Sequence, residues 1–194
     1  MIARYEAIAA ILAHVDEADL VLSTTGMISR EVYATDDRPG NFYMLGSMGL
    51  LSALGLGLAI LVPQHRVWIL DGDGSALMNL GALPLIATEH PPNLVHIILD
   101  NEAYESTGGQ PAISASVDLA EIGQSCGYRH VDRAASHGEL ERALDAYPPD
   151  VGPRLILVKA AIAPVEGIPR VAQAPEAIRD RFLGHIRNLW EKTL

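Results

Sequence analysis

Two kinds of apolar pattern alternate along the chain. Over residues 2–17, apolar side chains recur every three or four positions, which predicts an amphipathic helix. Elsewhere, short runs are apolar at nearly every position, as in strands buried on both faces. These runs predict strands at 19–26, 41–45, 66–71, 94–100, 128–131 and 154–160. Helical spacing predicts further helices at 47–62, 76–90, 118–127, 137–147 and 174–192.

The alternation of buried strands with helices predicts an α/β fold. We expect a three-layer sandwich, with a mostly parallel, doubly wound sheet flanked by helices, as one domain over residues 1–194. Ligands of such sheets bind beyond the carboxyl ends of the strands. Three predicted strands end in polar segments, "STTG" at 23–26, "DGDGS" at 71–75 and "DNEAY" at 100–104. The functional site is expected where these segments meet.

One predicted helix has an internal break. Pro84 lies inside the segment 76–90, and proline has no backbone N–H to donate within a helix. The helix should therefore kink or restart at this position.

Composition excludes one class of partner. The chain carries 14 Lys and Arg against 24 Asp and Glu, a formal net charge of −10. Binding to nucleic acid relies on basic side chains that neutralise phosphates, so no nucleic-acid partner is expected. The single cysteine, Cys126, cannot form a disulfide within the chain, and no signal peptide is visible. These features predict a cytoplasmic protein.

The uncharged stretch 44–62 is long enough to span a bilayer. It contains four glycines and is followed at once by a predicted strand. We therefore expect no membrane span, but a helix that is buried in the core or covered by a partner subunit.

The segment 71–75 combines a carboxylate with positions suited to an anion. Asp73 lies between Gly72 and Gly74, which permit close backbone approach, and Ser75 opens a helix. A helix N-terminus favours a phosphate, whereas an aspartate at the same place repels it. Magnesium resolves this conflict, because it binds carboxylate and phosphate oxygens together. The alternative is a tight turn in which Asp73 only caps the helix.

The next strand end supplies more oxygen ligands. Asp100 and Asn101 follow the strand at 94–100, and the tight turn at 101–103 exposes backbone carbonyls. Together with Asp73, these groups predict a magnesium–diphosphate site.

This combination of "GDG" and, some twenty-five residues later, "DN" resembles the thiamine diphosphate fingerprint. The segments "FYMLGSMGLLSALGLGLAI" and "DNEAYESTGGQP" are similar to phosphonopyruvate decarboxylases and, next, to sulfopyruvate decarboxylases. The resemblance covers most of residues 20–160 and only the diphosphate-binding half of those enzymes. It departs from many relatives at Asp100, where they have asparagine, and at Ala103, where they have glycine.

The resemblance implies a role for each matching residue. Magnesium would be bound by the side chains of Asp73 and Asn101 and by the carbonyl of Ala103. Met48 would hold the cofactor bent, the Gly46 carbonyl would accept from its 4′-amino group, and Tyr104 either packs on it or is simply a buried aromatic. The implied cofactor-binding set is Thr25, Gly26, Gly46, Ser47, Met48, Gly72, Gly74, Ser75 and Tyr104.

Hydroxyls and glycines after the metal turn could approach a second anionic group of the substrate. The candidates are Ser106, Thr107 and Gln110. The alternative is a flexible loop of turn-forming residues.

The resemblance implies a thiamine diphosphate- and magnesium-dependent decarboxylase of a small 2-keto acid. In that family the glutamate that contacts N1′ comes from a pyrimidine-binding domain, so no catalytic residue is assigned to this chain. We expect the chain to be inactive alone and to join an α-type pyrimidine-domain subunit in an α2β2 or larger oligomer. Two alternatives are a cofactor-binding homologue without turnover and a Rossmann-type nucleotide binder, which the lack of a G-x-G-x-x-G motif disfavours.

Overall fold

The computed structural model describes residues 1–146, 148, 150–163, 165 and 167–191. The strands are β1 (Ile2–Ala3), β2 (Leu20–Ser23), β3 (Asn41–Tyr43), β4 (Val67–Gly72), β5 (Leu94–Asp100), β6 (Ala103–Tyr104), β7 (Gln110–Pro111), β8 (His130–Ala134) and β9 (Arg154–Ala161). The helices are α1 (Arg4–Leu12), α2 (Met27–Thr35), α3 (Leu51–Leu61), α4 (Asp73–Met78), α5 (Ala82–Glu89), α6 (Leu119–Cys126), α7 (His137–Asp145) and α8 (Pro175–Glu191).

A seven-stranded parallel sheet forms the centre of the fold. The strand order is β1-β9-β5-β4-β2-β3, and β8 pairs with β9 beside β1. β6 and β7 form a separate antiparallel pair. From β2 the chain moves outward to β3, and from β4 it moves the opposite way to β5, so strand order reverses between the neighbouring strands β2 and β4. Open α/β sheets bind ligands at such a point.

Helices cover both faces of the sheet, because its central strands place apolar side chains on both faces. Along β4, Trp68 and Leu70 pack into the core under α1, α2 and α7. Val67 and Ile69 point the other way, into the core under α3, α5 and α6. The predicted three-layer, mostly parallel, doubly wound sandwich is therefore confirmed.

The largest difference from the sequence prediction is α2, which was not expected. Ile28 and Val32 are its buried apolar residues, and two such positions are too few to show a helical period in the sequence. The helix predicted at 2–17 is also shorter, because Ile2 and Ala3 pair with Ala160 and Ala161 as an edge strand. No local pattern marks a strand of two residues.

Two predicted helices begin or break at other places. The helix predicted at 47–62 starts at Leu51, because Ser47 and Gly49 adopt positive φ angles of 54° and 93° in a preceding turn. The segment 76–90 forms two helices separated at residues 79–81. Pro84 lies in the first turn of α5, where backbone N–H groups have no acceptor within the helix, so the proline is tolerated there. The helix restarts near Pro84, as expected.

The remaining boundaries shift by a few residues. The strand predicted at 128–131 is β8, which runs from His130 to Ala134. The closing helix is observed to Glu191, and the last residue of its predicted range lies outside the described residues. Within the described part of the chain, no helix has the length and apolarity needed to cross a membrane.

Candidate cofactor site

A cavity open to solvent lies beyond the carboxyl ends of β2, β4 and β5. The turn after each of these strands contributes to its wall, as expected for a parallel sheet. Its lining residues are Arg4, Thr24, Thr25, Met27, Ile28, Met48, Gly72, Asp73, Gly74, Ser75, Leu99, Asn101, Ala103, Tyr104, Glu105, Ser106 and Thr107.

The turn from β4 into α4 forms the floor of the cavity. α4 begins at Asp73, so the backbone N–H groups that follow have no acceptor within the helix. A side chain at Gly74 would put its Cβ 2.3 Å from Cε1 of Tyr104, so the Tyr104 ring lies directly on this backbone. The Ser75 hydroxyl accepts hydrogen bonds from Thr24 Oγ1 (3.1 Å) and from the Gly49 N–H (3.2 Å). Ser75 thus joins the turns after β2 and before α3.

Asp73 is a buried carboxylate that lacks a basic partner among the described residues. It is 3% exposed, and its Oδ2 accepts a hydrogen bond of 2.7 Å from Ser114 Oγ. Burial raises the pKa of Asp73, hydrogen bonds from Ser114 and the Gly74 N–H lower it, and the nearby Asp100 raises it again, with a net upward shift. Two buried carboxyl groups this close favour a bound cation.

The turn after β5 presents amide and carbonyl oxygens beside Asp73. The positive φ of Glu102, 59°, turns the chain sharply. Asn101 Oδ1 accepts from the Ala103 N–H at 3.1 Å, and Asn101 Nδ2 donates to Glu105 Oε2 at 3.1 Å. Asp100, 1% exposed, is paired instead with Lys159 at 2.6 Å. A carboxylate, an amide oxygen and a carbonyl form a set of hard oxygen donors that fits magnesium.

The structure brings most of the predicted site residues to this cavity. Those in its wall are Thr25, Met48, Gly72, Asp73, Gly74, Ser75, Asn101, Ala103, Tyr104, Ser106 and Thr107. Gly26 lies just behind the wall, because a Cβ there would be 3.3 Å from Ser106 Oγ.

Three of the predicted residues lie outside the cavity. Gly46 and Ser47 are exposed and line a neighbouring groove with Pro175. Gln110 is exposed and bonds only within its own loop, donating from Nε2 to the Thr107 carbonyl at 3.0 Å and accepting from Thr107 Oγ1 at 3.1 Å. The roles of these residues stay predictions.

Several site residues were missed by the sequence prediction. Arg4 and Ser114 reach the site from segments that no local motif marks. Thr24 lies within the predicted strand-end segment "STTG", but only its neighbours Thr25 and Gly26 were chosen as candidates. Glu105 stands in the fingerprint segment "DNEAYESTGG" itself, but its contact with Arg4 spans 101 residues. Glu105 could have been chosen from the sequence, because it is an ionisable residue close to the predicted metal-binding turn.

Fold and site together define a thiamine diphosphate-binding domain. The model of the family "Thiamine pyrophosphate enzyme, C-terminal TPP binding domain" matches residues 24–158. The chain belongs to this family, which confirms the resemblance seen in the sequence.

Two curated relatives are similar over nearly the whole chain. A phosphonopyruvate decarboxylase of Streptomyces hygroscopicus is 41% identical over 96% of this chain and 46% of its own length. A sulfopyruvate decarboxylase subunit beta of Methanothermobacter thermautotrophicus is 40% identical over 98% of this chain and 99% of its own length. The chain therefore spans about half the length of the first relative and nearly the full length of the second.

The fold also matches a solved structure. An enzyme assigned as thiamin diphosphate-dependent, from Mycobacterium smegmatis, superposes with a TM-score of 0.70 over 84% of this chain and 32% of its own, at 18% sequence identity. This likeness supports the fold.

Proposed function

We propose that this chain is the diphosphate-binding part of a thiamine diphosphate- and magnesium-dependent 2-keto acid decarboxylase, a carbon–carbon lyase similar to phosphonopyruvate decarboxylase. The observation that carries the proposal is the meeting of Asp73 and Asn101 at one cavity, beside the backbone of Gly74. The family membership and the decarboxylases among its relatives support the same activity.

The chain's own residues would bind and orient the cofactor. Asp73, the Asn101 amide oxygen and the Ala103 carbonyl would hold magnesium, and the N–H groups of Gly74 and Ser75 would donate to the diphosphate. Met48, 37% exposed at the cavity edge, would support the bent cofactor. Bound thiamine diphosphate supplies the electron sink for the carbanion formed on decarboxylation.

A second chain or domain would supply the remaining acid. Among the described residues of the cavity wall, Glu105 is the one glutamate, and Arg4 and Asn101 already engage it. The carboxylic acid that protonates N1′ of the cofactor is therefore assigned to a pyrimidine-domain partner. Sulfopyruvate decarboxylase subunits named beta are relatives of this chain, which fits a partner subunit.

An exposed apolar surface next to the cavity supports the proposal that a partner subunit binds there. It consists of Leu45, Met48, Leu50, Leu54 and Met78, which are 37–62% exposed. Met78 lies beside the segment that carries the other four residues, because a Cβ at Gly49 would lie 2.9 Å from Met78 Cβ. Contiguous exposed apolar side chains mark interaction sites. We call this set the apolar rim.

Calorimetry with magnesium and thiamine diphosphate tests the cofactor site. We expect binding by the chain mixed with a pyrimidine-domain subunit, and loss of that binding in Asp73→Ala. Glu89→Ala, at the exposed end of α5, is a control that should bind like the wild type. Wild-type binding that survives Asp73→Ala unchanged, or no binding by the mixture, would contradict the proposal.

A second candidate substrate is sulfopyruvate, favoured by the match over 99% of a sulfopyruvate decarboxylase subunit beta. Carbon dioxide release from phosphonopyruvate, sulfopyruvate and pyruvate by the reconstituted complex separates the candidates. We expect one of the first two to exceed pyruvate, because Ser106 and Thr107 stand at the cavity edge with hydroxyls for a second anionic group. Equal rates on all three would remove these residues from the proposed substrate site. A cytoplasmic location is part of the same proposal and rests on the single cysteine.

A further inference from the structure

A chain of buried charges leads from α2 to the wall of the cavity. Arg4 makes a two-pronged pair with Glu31, from Nε to Oε2 at 2.8 Å and from Nη2 to Oε1 at 2.7 Å. Its Nη1 donates to Glu105 Oε2. Arg4 is 4% exposed and Glu31 is fully buried. Burial lowers the pKa of Arg4, but its bonds to both glutamates outweigh burial and raise it, so the guanidinium stays charged.

Glu105 makes a second contact, with a predicted metal ligand. The oxygen that accepts from Arg4 also accepts from Asn101 Nδ2 at 3.1 Å. On the other side of the same amide, Asn101 Oδ1 accepts from the Ala103 N–H at 3.1 Å. If the Asn101 amide were flipped, its oxygen would face the Glu105 carboxylate and its NH2 group would face the Ala103 N–H. Both contacts would then be repulsive, so together they fix the orientation of the amide.

We propose that Glu105 is a positioning residue of the metal site, which holds the Asn101 amide in the orientation that offers its oxygen to magnesium. This inference rests on the proposed function, since it takes Asn101 as a ligand. Arg4 and Glu31 fix Glu105 in turn. Partners of this kind, one step removed from the metal, orient the ligands and affect affinity strongly.

The charges of the cluster argue against a competing role for Arg4. Arg4 is the one basic side chain in the described part of the cavity wall and would be the obvious receptor for a substrate anion. Two carboxylates already neutralise it, so Arg4, Glu31 and Glu105 carry a net charge of −1. A negative cluster attracts a cation and repels a substrate anion, which agrees with a role at the metal.

Magnesium titrations at saturating thiamine diphosphate test the proposal, with the full chain and the pyrimidine-domain partner. We expect Glu105→Ala to weaken magnesium binding about 10-fold or more. Glu105→Gln keeps an oxygen that can accept from Asn101 and should recover most of that loss. Glu102→Gln is the matched control, because it removes a charge from the same turn, a carboxylate that pairs with Lys159 at 2.8 Å, and it should change affinity about twofold at most. Equal losses in Glu102→Gln and Glu105→Ala would overturn the proposal, since they would show a general effect of charge.

A double-mutant cycle separates positioning from a merely structural role. If Glu105 acts through Asn101, adding Glu105→Ala to Asn101→Ala should not weaken magnesium binding further. Additive losses would overturn the proposal. Thermal unfolding without metal reports any folding defect of the variants separately.

The outcomes also distinguish this inference from the proposed function. Wild-type complex that fails to bind magnesium with thiamine diphosphate would contradict the proposed function itself. Normal wild-type binding with unchanged affinity in Glu105→Ala would contradict the positioning role alone.

Discussion

At the scale of single residues, Gly74 marks the closest approach of backbone to side chain in the site. The ring of Tyr104 occupies the space that a Cβ would need, with Cε1 at 2.3 Å. Tyr104 is half-buried, and in this structure it packs on protein backbone. The sequence left open whether Tyr104 packs on the cofactor or is a buried aromatic. The ring contacts the Gly74 backbone and also lines the cavity, so both alternatives fit its position.

Gly74→Ala is therefore expected to destabilise the protein. Displacing the Tyr104 ring should cost about 1–3 kcal/mol, as overpacking does elsewhere, despite the better helix propensity of alanine. Gly57→Ala is the matched control, because a Cβ at this exposed helical position meets nothing within 4 Å. It should stabilise by about 0.5–1 kcal/mol. Urea denaturation measures both changes, and equal effects of the two substitutions would contradict the packing argument.

Arg4 is the second residue whose effect can be predicted. Arg4→Met leaves Glu31 fully buried without its counter-ion, which should cost about 3–5 kcal/mol of unfolding free energy. Replacing both residues, in Arg4→Met with Glu31→Met, should recover most of the loss, because the uncompensated charge disappears. Chemical denaturation compares the three proteins. A double variant as unstable as Arg4→Met alone would show that the loss comes from packing.

At the scale of elements, the C-terminal helix is held by apolar packing and one ionic cluster. Phe182, Ile186 and Leu189 of α8 belong to the core under α3, α5 and α6. Arg181 pairs with Asp37, before β3, at 2.8 Å. Asp37 also accepts hydrogen bonds from Tyr43 OH at 2.8 Å and from Gln173 at 3.1 Å. This cluster fixes α8 against the edge of the sheet.

The docking of α8 should weaken in acid. Partial burial raises the pKa of Asp37, but hydrogen bonds from Arg181 and Tyr43 outweigh burial and lower it. A carboxylate with a lowered pKa stabilises the fold above its unfolded pKa of about 3.9, and this contribution is lost as the pH falls through the lower folded value.

The substitution Asp37→Asn tests this pH dependence. It should cost about 1 kcal/mol at pH 6, given the partial exposure of the pair, and progressively less below about pH 4. Asp36→Asn is the control, because Asp36 approaches Arg38 only to 3.9 Å. Unfolding free energies from pH 6 to pH 2.5 measure the effect. A difference between wild type and Asp37→Asn that stays constant with pH would contradict it.

At the scale of the whole molecule, the cavity and the apolar rim adjoin each other at Met48. Met48 belongs to both, since it lines the cavity and is 37% exposed. α3 follows this residue and buries Leu51 and Leu56 against the sheet while it exposes Leu54. A partner that covers the rim would therefore also close the open side of the cavity.

Leu54→Asp should weaken association with the pyrimidine-domain partner at least 10-fold, because it places a charge in the rim. The isolated chain should keep its melting temperature, since Leu54 is 39% exposed and contributes little to the core. Leu183→Asp is the control, a leucine of similar exposure, 42%, on α8. Analytical ultracentrifugation of the mixed chains measures association. Equal weakening by both substitutions would contradict a role for the rim.

The sequence by itself determined the parallel sheet and the place where the two candidate metal-binding turns meet. Runs such as 94–100 are apolar at most positions on both faces, and a strand covered on both faces requires that pattern. Asp73 and Asn101 follow such strands, and the carboxyl ends of parallel strands meet at one edge, so their meeting was predictable from spacing alone.

Only the tertiary structure decided which distant groups complete the site. β1 is a two-residue strand that exists because Ile2 pairs with Ala160, and this pairing starts α1 at the cavity. Arg4 then reaches Glu105 across 101 residues of sequence, and Ser114 reaches Asp73 across 41. These contacts depend on how whole elements pack, and no local period or motif records that packing. The sequence is therefore enough to propose Asp73 and Asn101 as ligands, while the contacts that support them emerge only from the assembled fold.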